Sequence, residues 1–151
     1  MIAAVRARGK VKVRRDLEYT MELLRLYKVN HLVIVEEKML AMLKKVESFV
    51  TFGEINTLAL EKLLKKRGRL SGNKRLSEEF LKKNKLKSFK ELSEKILNGE
   101  VTLKSIGIKP VFRLNSPRKG YERAGIKKPF KIGGVLGYRG EKINLLIEKM
   151  V

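Results

Sequence analysis

Cysteine is absent from the 151 residues, so no disulfide, thiolate metal ligand or thiol nucleophile is available. Histidine occurs once, as His31, which excludes metal sites built from several imidazoles. Glutamine is missing, and Asp16 is the only aspartate. No apolar run is long enough to cross a bilayer, and the opening Met-Ile-Ala-Ala-Val lacks a basic n-region. Neither a signal peptide nor a spanning helix is therefore expected, and a cytoplasmic protein is. The shortage with most consequence is of acid: 16 Asp+Glu stand against 36 Lys+Arg, for a formal charge of +20.

Such a charge repels itself in a free globule and is relieved by a polyanion. Nucleic acid is the first candidate. An anionic membrane surface is the second, but no long basic amphipathic helix with an aromatic face appears. The 43% apolar fraction suffices for a packed core, and the length suits one domain with an appendage.

The densest basic stretch is Lys65–Arg75, KKRGRLSGNKR, with six cations, two glycines and no acid. Burying unpaired charge costs several kcal/mol or more, so these side chains meet water or a polyanion. Before it, Ile2–Arg8 reads as a strand whose charged end, Arg6 and Arg8, faces solvent. Asp16–Tyr27 carries Leu17, Met21, Leu24 and Tyr27 on one helical face, with Asp16 placed to cap it or complement its dipole. His31–Glu36 and Phe49–Gly53 read as further strands, and Met39–Glu47 as a short helix between them. That order suggests helices on one face of a small sheet.

Asn56 is a good N-cap for the next helix, which ends in Lys65, Lys66 and Arg67 with Gly68 at the position of a C-terminal glycine. Two short helices follow, capped by Ser77 and Ser88, the second ending at Gly99. Ile108–Leu114 reads as an edge strand, because Pro110 cannot donate inside a ladder. Asn115–Gly134 is rich in glycine and cations, holds one acid, Glu122, and has no period of either kind. A mobile loop is expected there in the free protein. A last helix starts at Gly140. The segments divide as 1–55, a strand–helix core; 56–107, a helical appendage with the basic glycine loop; and 108–151, an edge strand, a basic loop and a closing helix.

Catalysis finds little support, and a non-enzyme is expected. His31 lies in an apolar strand, where a structural ring bonded to backbone or water is expected, and a lone base needs a partner and a pocket. The Gly68–Lys74 run departs from the phosphate-loop pattern: three residues rather than four separate its glycines, and Asn73 precedes the lysine. Gly137-Tyr-Arg-Gly140 matches the GXXG clamp of KH domains, which leaves a KH-like single-stranded RNA binder as the alternative reading and an RNA-processing enzyme as a lesser one. The collective pattern is stronger. Basic clusters at Lys10–Arg15, Lys65–Arg75, Arg113–Arg123 and Lys127–Lys131 sit on connections and element ends. Tyr121, Phe130 and Tyr138 are interleaved with the last of them and could stack on unpaired bases.

Taken in order, ARGKVKVRRD (Ala7–Asp16), LLRLYKVNH (Leu23–His31), VTFGEI (Val50–Ile55), LLKKRGRLSGNKRL (Leu63–Leu76), KPVFRLNSPRKG (Lys109–Gly120) and IGGVLGYRGEKI (Ile132–Ile143) resemble one family over nearly the whole chain. That family is the archaeal large-subunit ribosomal protein L thirty, whose eukaryotic counterpart is L seven. The resemblance implies an α+β fold: a ferredoxin-like β-α-β-α-β core with a small, largely antiparallel three-stranded sheet, an extra edge strand, an added helical subdomain and a long basic loop. It also implies a structural constituent of the large ribosomal subunit. Its partners would be ribosomal RNA and neighbouring ribosomal proteins, one copy to a ribosome, with no cofactor, metal, membrane or small-molecule substrate. RNA contact carries over to Arg8, Lys10, Lys12, Arg14 and Arg15; to Lys65, Lys66, Arg67, Arg69, Lys74 and Arg75; and to Arg113, Arg118 and Lys119. Arg123, Lys127 and Lys128 fall where the likeness is less distinct, and Tyr121, Lys131, Tyr138 and Arg139 complete the candidate set from the C-terminal clusters.

Overall fold

Ile2-Ala3-Ala4-Val5 is apolar without alternation, the pattern of a strand covered on both faces. In the computed structural model, which describes all residues except 85 and 87 and all side chains except theirs and that of residue 83, this segment is the middle of the sheet. The elements run β1 (Ile2–Arg6), α1 (Arg15–Leu23), β2 (His31–Val35), α2 (Leu40–Lys45), β3 (Val50–Glu54), α3 (Thr57–Arg67), α4 (Glu78–Lys83), α5 (Phe89–Leu97), β4 (Val111–Arg113), β5 (Gly137–Tyr138) and α6 (Ile143–Met150). The strand order is β4-β2-β1-β3-β5. β1 pairs antiparallel with both neighbours, Ala4 lying opposite Val33 on β2 and Phe52 on β3. β4 joins β2 antiparallel, and β5 joins β3 parallel.

Two expectations need correction. The sheet has five strands rather than three and an edge, because a two-residue strand, β5, extends it beyond β3. Helices cover both faces rather than one. Ala3, Val5, Leu32 and Phe112 face a core shared with α3, α4, α5 and α6. Ile2, Ala4, Val33 and Phe52 face the opposite core, which Met21 of α1 and Leu43 of α2 fill. The physical reason is the pleat: with both residue parities of β1 apolar, each face needs its own cover.

Local chemistry sets the helix ends. The Asn56 side-chain oxygen accepts from the Ala59 amide at 2.8 Å, and Ser88 Oγ accepts from the Glu91 amide at 3.2 Å, as N-caps do. Ser77 occupies the N-cap position of α4 but makes no capping bond with its side chain. Asp16 lies in the first turn of α1, after the N-cap Arg14, so it serves the helix dipole rather than the cap. That helix stops at Leu23, four residues early, as the backbone turns left-handed at Arg25 (φ 60°) and buries Leu26 instead of Tyr27.

Candidate nucleic-acid interface

Arg6 shows that cations at a strand end need not face solvent. It is 1% exposed, and its guanidinium donates to the carbonyl oxygens of Arg8, Gly9, Leu26 and Tyr27 at 2.7–3.3 Å. Burial lowers its pKa, partly offset by Glu18 and Glu22. Arg6 thus ties the basic connection after β1 to the turn after α1, and it corrects the expectation that this strand end faces solvent.

The candidate side chains around it point outward in different states of engagement. Arg8 stacks over the Phe49 ring at 4.8 Å and donates to the Ser48 carbonyl. Lys10 pairs with Glu18 at 2.9 Å, and Arg14 with Asp16 at 3.2 Å. Hydrogen bonding and charge from Lys10 hold the Glu18 carboxyl below its ordinary pKa. Lys12 and Arg15 are exposed, and Lys12 holds a left-handed backbone (φ 55°). A non-glycine residue in that region costs about 1 kcal/mol or more, and such strain gathers at functional sites.

Lys65 and Lys66 are exposed on the last turn of α3. Arg67 turns back to the chain terminus and donates to the Val151 carbonyl at 3.5 Å. Gly68 is required by close approach, not by its φ: a Cβ there would collide with the Leu64 carbonyl and crowd Leu76. Beyond it the loop doubles back, with Arg69 bridged to Arg75 and a left-handed pair, Gly72 (φ 70°) and Asn73 (φ 63°), at its tip. Lys74 and Arg75 are exposed beside that tip. The loop is docked against the approach to β4, where the Lys109 amide donates to the Arg69 carbonyl at 2.8 Å. Arg69 and Arg113, 44 residues apart in sequence, consequently line one recess of about 290 Å³ together with Arg25 and Lys109. Sequence reasoning missed Arg25 and Lys109; only the left-handed backbone at Arg25 and the strand pairing at β4 bring them in.

The C-terminal loop, for which mobility is expected in the free protein, is folded onto the protein by backbone hydrogen bonds. The Asn115 and Arg118 amides donate to the Met150 and Lys149 carbonyls at 3.1 and 2.9 Å, and the Phe130 amide to the Leu136 carbonyl at 2.8 Å. Arg139 fixes the middle. It is 5% exposed, pairs with Glu122 at 2.7 Å, and donates to Thr51 Oγ1 and the Val135 carbonyl. Its guanidinium also lies over the Phe130 ring at 4.5 Å. Burial opposes ionisation of Glu122, but hydrogen bonds from Arg139 and from its own backbone outweigh it and hold the carboxyl below the usual range. Arg139 therefore leaves the set of candidate RNA contacts, because its donors are spent inside.

Tyr121 is likewise half-buried. Its ring packs near Ala7, Val135 and Leu136, and its hydroxyl donates to Asn30 Oδ1 at 3.0 Å, so it anchors the loop rather than offering a stacking face. Burial raises its pKa. Tyr138 remains half-exposed, its hydroxyl donating to Glu54 at 2.7 Å and its ring 5.8 Å from Phe52. Arg118, Lys119, Arg123, Lys127, Lys128 and Lys131 are exposed, and Lys119 repeats the left-handed backbone (φ 65°).

The KH alternative fails on geometry. Gly137 and Tyr138 are strand residues paired with Thr51 and Phe52, not a free clamp, and a short 3-10 turn, Phe130–Ile132, stands where a KH helix is needed. Gly140 packs its backbone against Gly53, where a Cβ would strike the Gly140 carbonyl. His31 is a half-buried strand residue, as expected, and its Nδ1 has no hydrogen-bond partner among the described residues. Among the described residues no cluster of His, Asp or Glu could hold a metal, and no helix is long and apolar enough to cross a membrane.

Comparison with known proteins gives this surface a context. Residues 2–50 match the family described as ribosomal protein L30p/L7e. Large ribosomal subunit protein uL30 of Methanococcus maripaludis is 55% identical over 151 residues, covering 99% of this chain and 98% of that protein. The chain belongs to the uL30 family. The Nanoarchaeum equitans uL30 is 48% identical over 153 residues, covering 100% of this chain and 99% of its own, and the Methanosphaera stadtmanae uL30 is 43% identical over the full length of both. Because uL30 relatives match end to end, α3 to α5, the glycine loop and the C-terminal loop belong to the shared length, not to an insertion peculiar to this chain.

Proposed function

We infer that this protein is a structural, non-enzymatic constituent of the large ribosomal subunit and binds ribosomal RNA through its exposed basic loops. The full-length likeness to uL30 proteins carries the first part of this reading. The second is supported by where the charge stands. Lys12, Arg15, Lys65, Lys66, Lys74, Arg75, Arg118, Lys119, Arg123, Lys127, Lys128 and Lys131 are exposed cations on connections and helix ends. Arg8, Lys10 and Arg14 are exposed or half-exposed but already share their charge with the protein, and their RNA contacts would compete with Ser48, Glu18 and Asp16. Tyr138 is the aromatic candidate left for base stacking.

The folded core sets the geometry, and exposed tips reach phosphates from several directions, which suits an irregular RNA surface. Neighbouring ribosomal proteins complete the setting, with one copy in each subunit. The test is sedimentation with large subunits followed by salt elution, with a titration against large-subunit RNA fragments alongside. With roughly six to ten phosphate contacts, affinity should fall by about 10³–10⁵ between 50 and 200 mM salt. A flat titration would refute the electrostatic reading.

A further inference from the structure

Four cations that converge without any acid raise the question of what they hold. Arg25 follows α1, Arg69 lies in the glycine loop, and Lys109 and Arg113 flank and end β4, yet all four line the same recess of about 290 Å³. No carboxylate lines it. None of the four side chains makes an ion pair or a side-chain hydrogen bond among the described residues, unlike Lys10, Arg14 or Arg139. The sole histidine also lines it. His31 is paired directly with Arg113 across β2 and β4, and Tyr27 meets its ring edge-on at 6.5 Å. Its buried Nδ1 lacks a hydrogen-bond partner among the described residues.

We propose that this recess is a phosphate-binding subsite that takes one backbone phosphate of ribosomal RNA. Four unpartnered donors around a pocket of this size can surround a phosphate's oxygens, and an arginine offers them paired N–H groups. Holding Arg25 in a left-handed backbone orients one cation from a side that β4 cannot supply. The charged groups around His31 are Arg113, Lys28 and Arg6, with Arg25, Arg69 and Lys109 sharing its recess and the Tyr27 phenol beside it. All but the phenol are cationic, so a bound anion offsets part of their field and makes protonation of His31 easier. This inference rests on the RNA-binding reading and adds to it a specific place.

The test uses the full chain with a single-stranded oligoribonucleotide and, separately, inorganic phosphate, following the imidazole resonance of His31 by NMR. With one histidine the signal is unambiguous. The oligonucleotide should shift the resonance and raise the His31 titration midpoint. The double variant Arg69→Gln/Lys109→Gln should weaken RNA binding roughly tenfold or more and make its salt slope shallower by about 0.7, one phosphate's worth on single strands. It should also abolish the His31 shift at an unchanged unfolding midpoint. The double variant Lys65→Gln/Lys66→Gln, outside the recess, should weaken binding and leave the His31 shift intact. If the recess variant binds as the parent does while the Lys65/Lys66 variant is weakened, the subsite is wrong and the broader reading stands. If neither variant changes binding, both fall. Should inorganic phosphate alone give the full shift at low millimolar concentration while the oligonucleotide gives none, the site is for free phosphate and its assignment to RNA is overturned.

Discussion

Arg6 and Arg139 look like all the other cations in the sequence, yet among the described residues they are the two the fold keeps for itself. Each is nearly inaccessible, and each spends its donors on several chain segments. Arg139 couples Glu122 in the C-terminal loop to Thr51 on β3 and to the Val135 carbonyl. Removing it leaves Glu122 half-buried and ionised without its partner. Arg139→Met should therefore cost about 2–4 kcal/mol, read as a lower urea midpoint. The loop should become sensitive to proteases near Arg123 before the rest of the protein. Arg139→Lys keeps the charge but loses the paired geometry and should recover only part of the loss.

His31 makes a second prediction at this scale. Burial, then Arg113, Lys28 and Arg6, lower its pKa in the native state. The unfolded chain, with a histidine pKa near 6.5, binds the proton more readily. Stability from neutral His31 is thus complete above about pH 6.5 and is lost as pH falls from there through the lower native value. A melting temperature that drops between pH 7.5 and 5.5, and drops less in His31→Phe, is the expected result. Bound RNA should blunt the drop in the parent.

Among the elements, those with a strong local pattern were legible. The strands β1 to β3 announce themselves as apolar runs, and α3 and α5 by Asn56 and Ser88. The two-sided cover of the sheet was written in the lack of alternation in β1, but a short apolar run does not say where its helices go. β5 could not be read at all: two residues beside glycines carry no period, and only pairing with Thr51 and Phe52 makes them a strand. The candidate interface was half legible for a similar reason. Sequence places cations on loops, as with Lys65–Arg75, but it cannot tell Lys128, which is exposed, from Arg139, which is buried, because that difference depends on Glu122 and Thr51 arriving from elsewhere. The glycine loop offers a test of element geometry. Gly72 has open space around it but a φ of 70°, so Gly72→Ala should cost only about 1 kcal/mol, from the left-handed backbone. Gly68 has an ordinary φ but no room, so Gly68→Ala should cost more and should displace Arg69, weakening RNA binding beyond its effect on stability. Denaturant midpoints and RNA affinities of the two variants separate strain from crowding.

For the whole molecule, one core sets how the parts behave. Ala3 and Val5 from the first segment, Leu60, Leu92 and Leu103 from the second, and Phe112 and Ile147 from the third belong to a single buried cluster. We propose on this ground that the three segments unfold together, so that calorimetric and van't Hoff enthalpies agree. The charge of +20 acts on that single transition from outside. Few acids are available to offset it, and several of these, Glu18, Glu91, Glu122 and Glu148, are already paired at 2.5–2.9 Å. Added salt screens the repulsion among exposed loop cations in the free protein, and the same screening weakens their hold on phosphates. The two effects have opposite signs. Between 50 and 300 mM potassium chloride the melting temperature of the free protein should rise while its affinity for large-subunit RNA falls. A free protein that melts lower as salt rises would mean that its internal ion pairs outweigh the repulsion, and the loop charges would then need no polyanion to settle them.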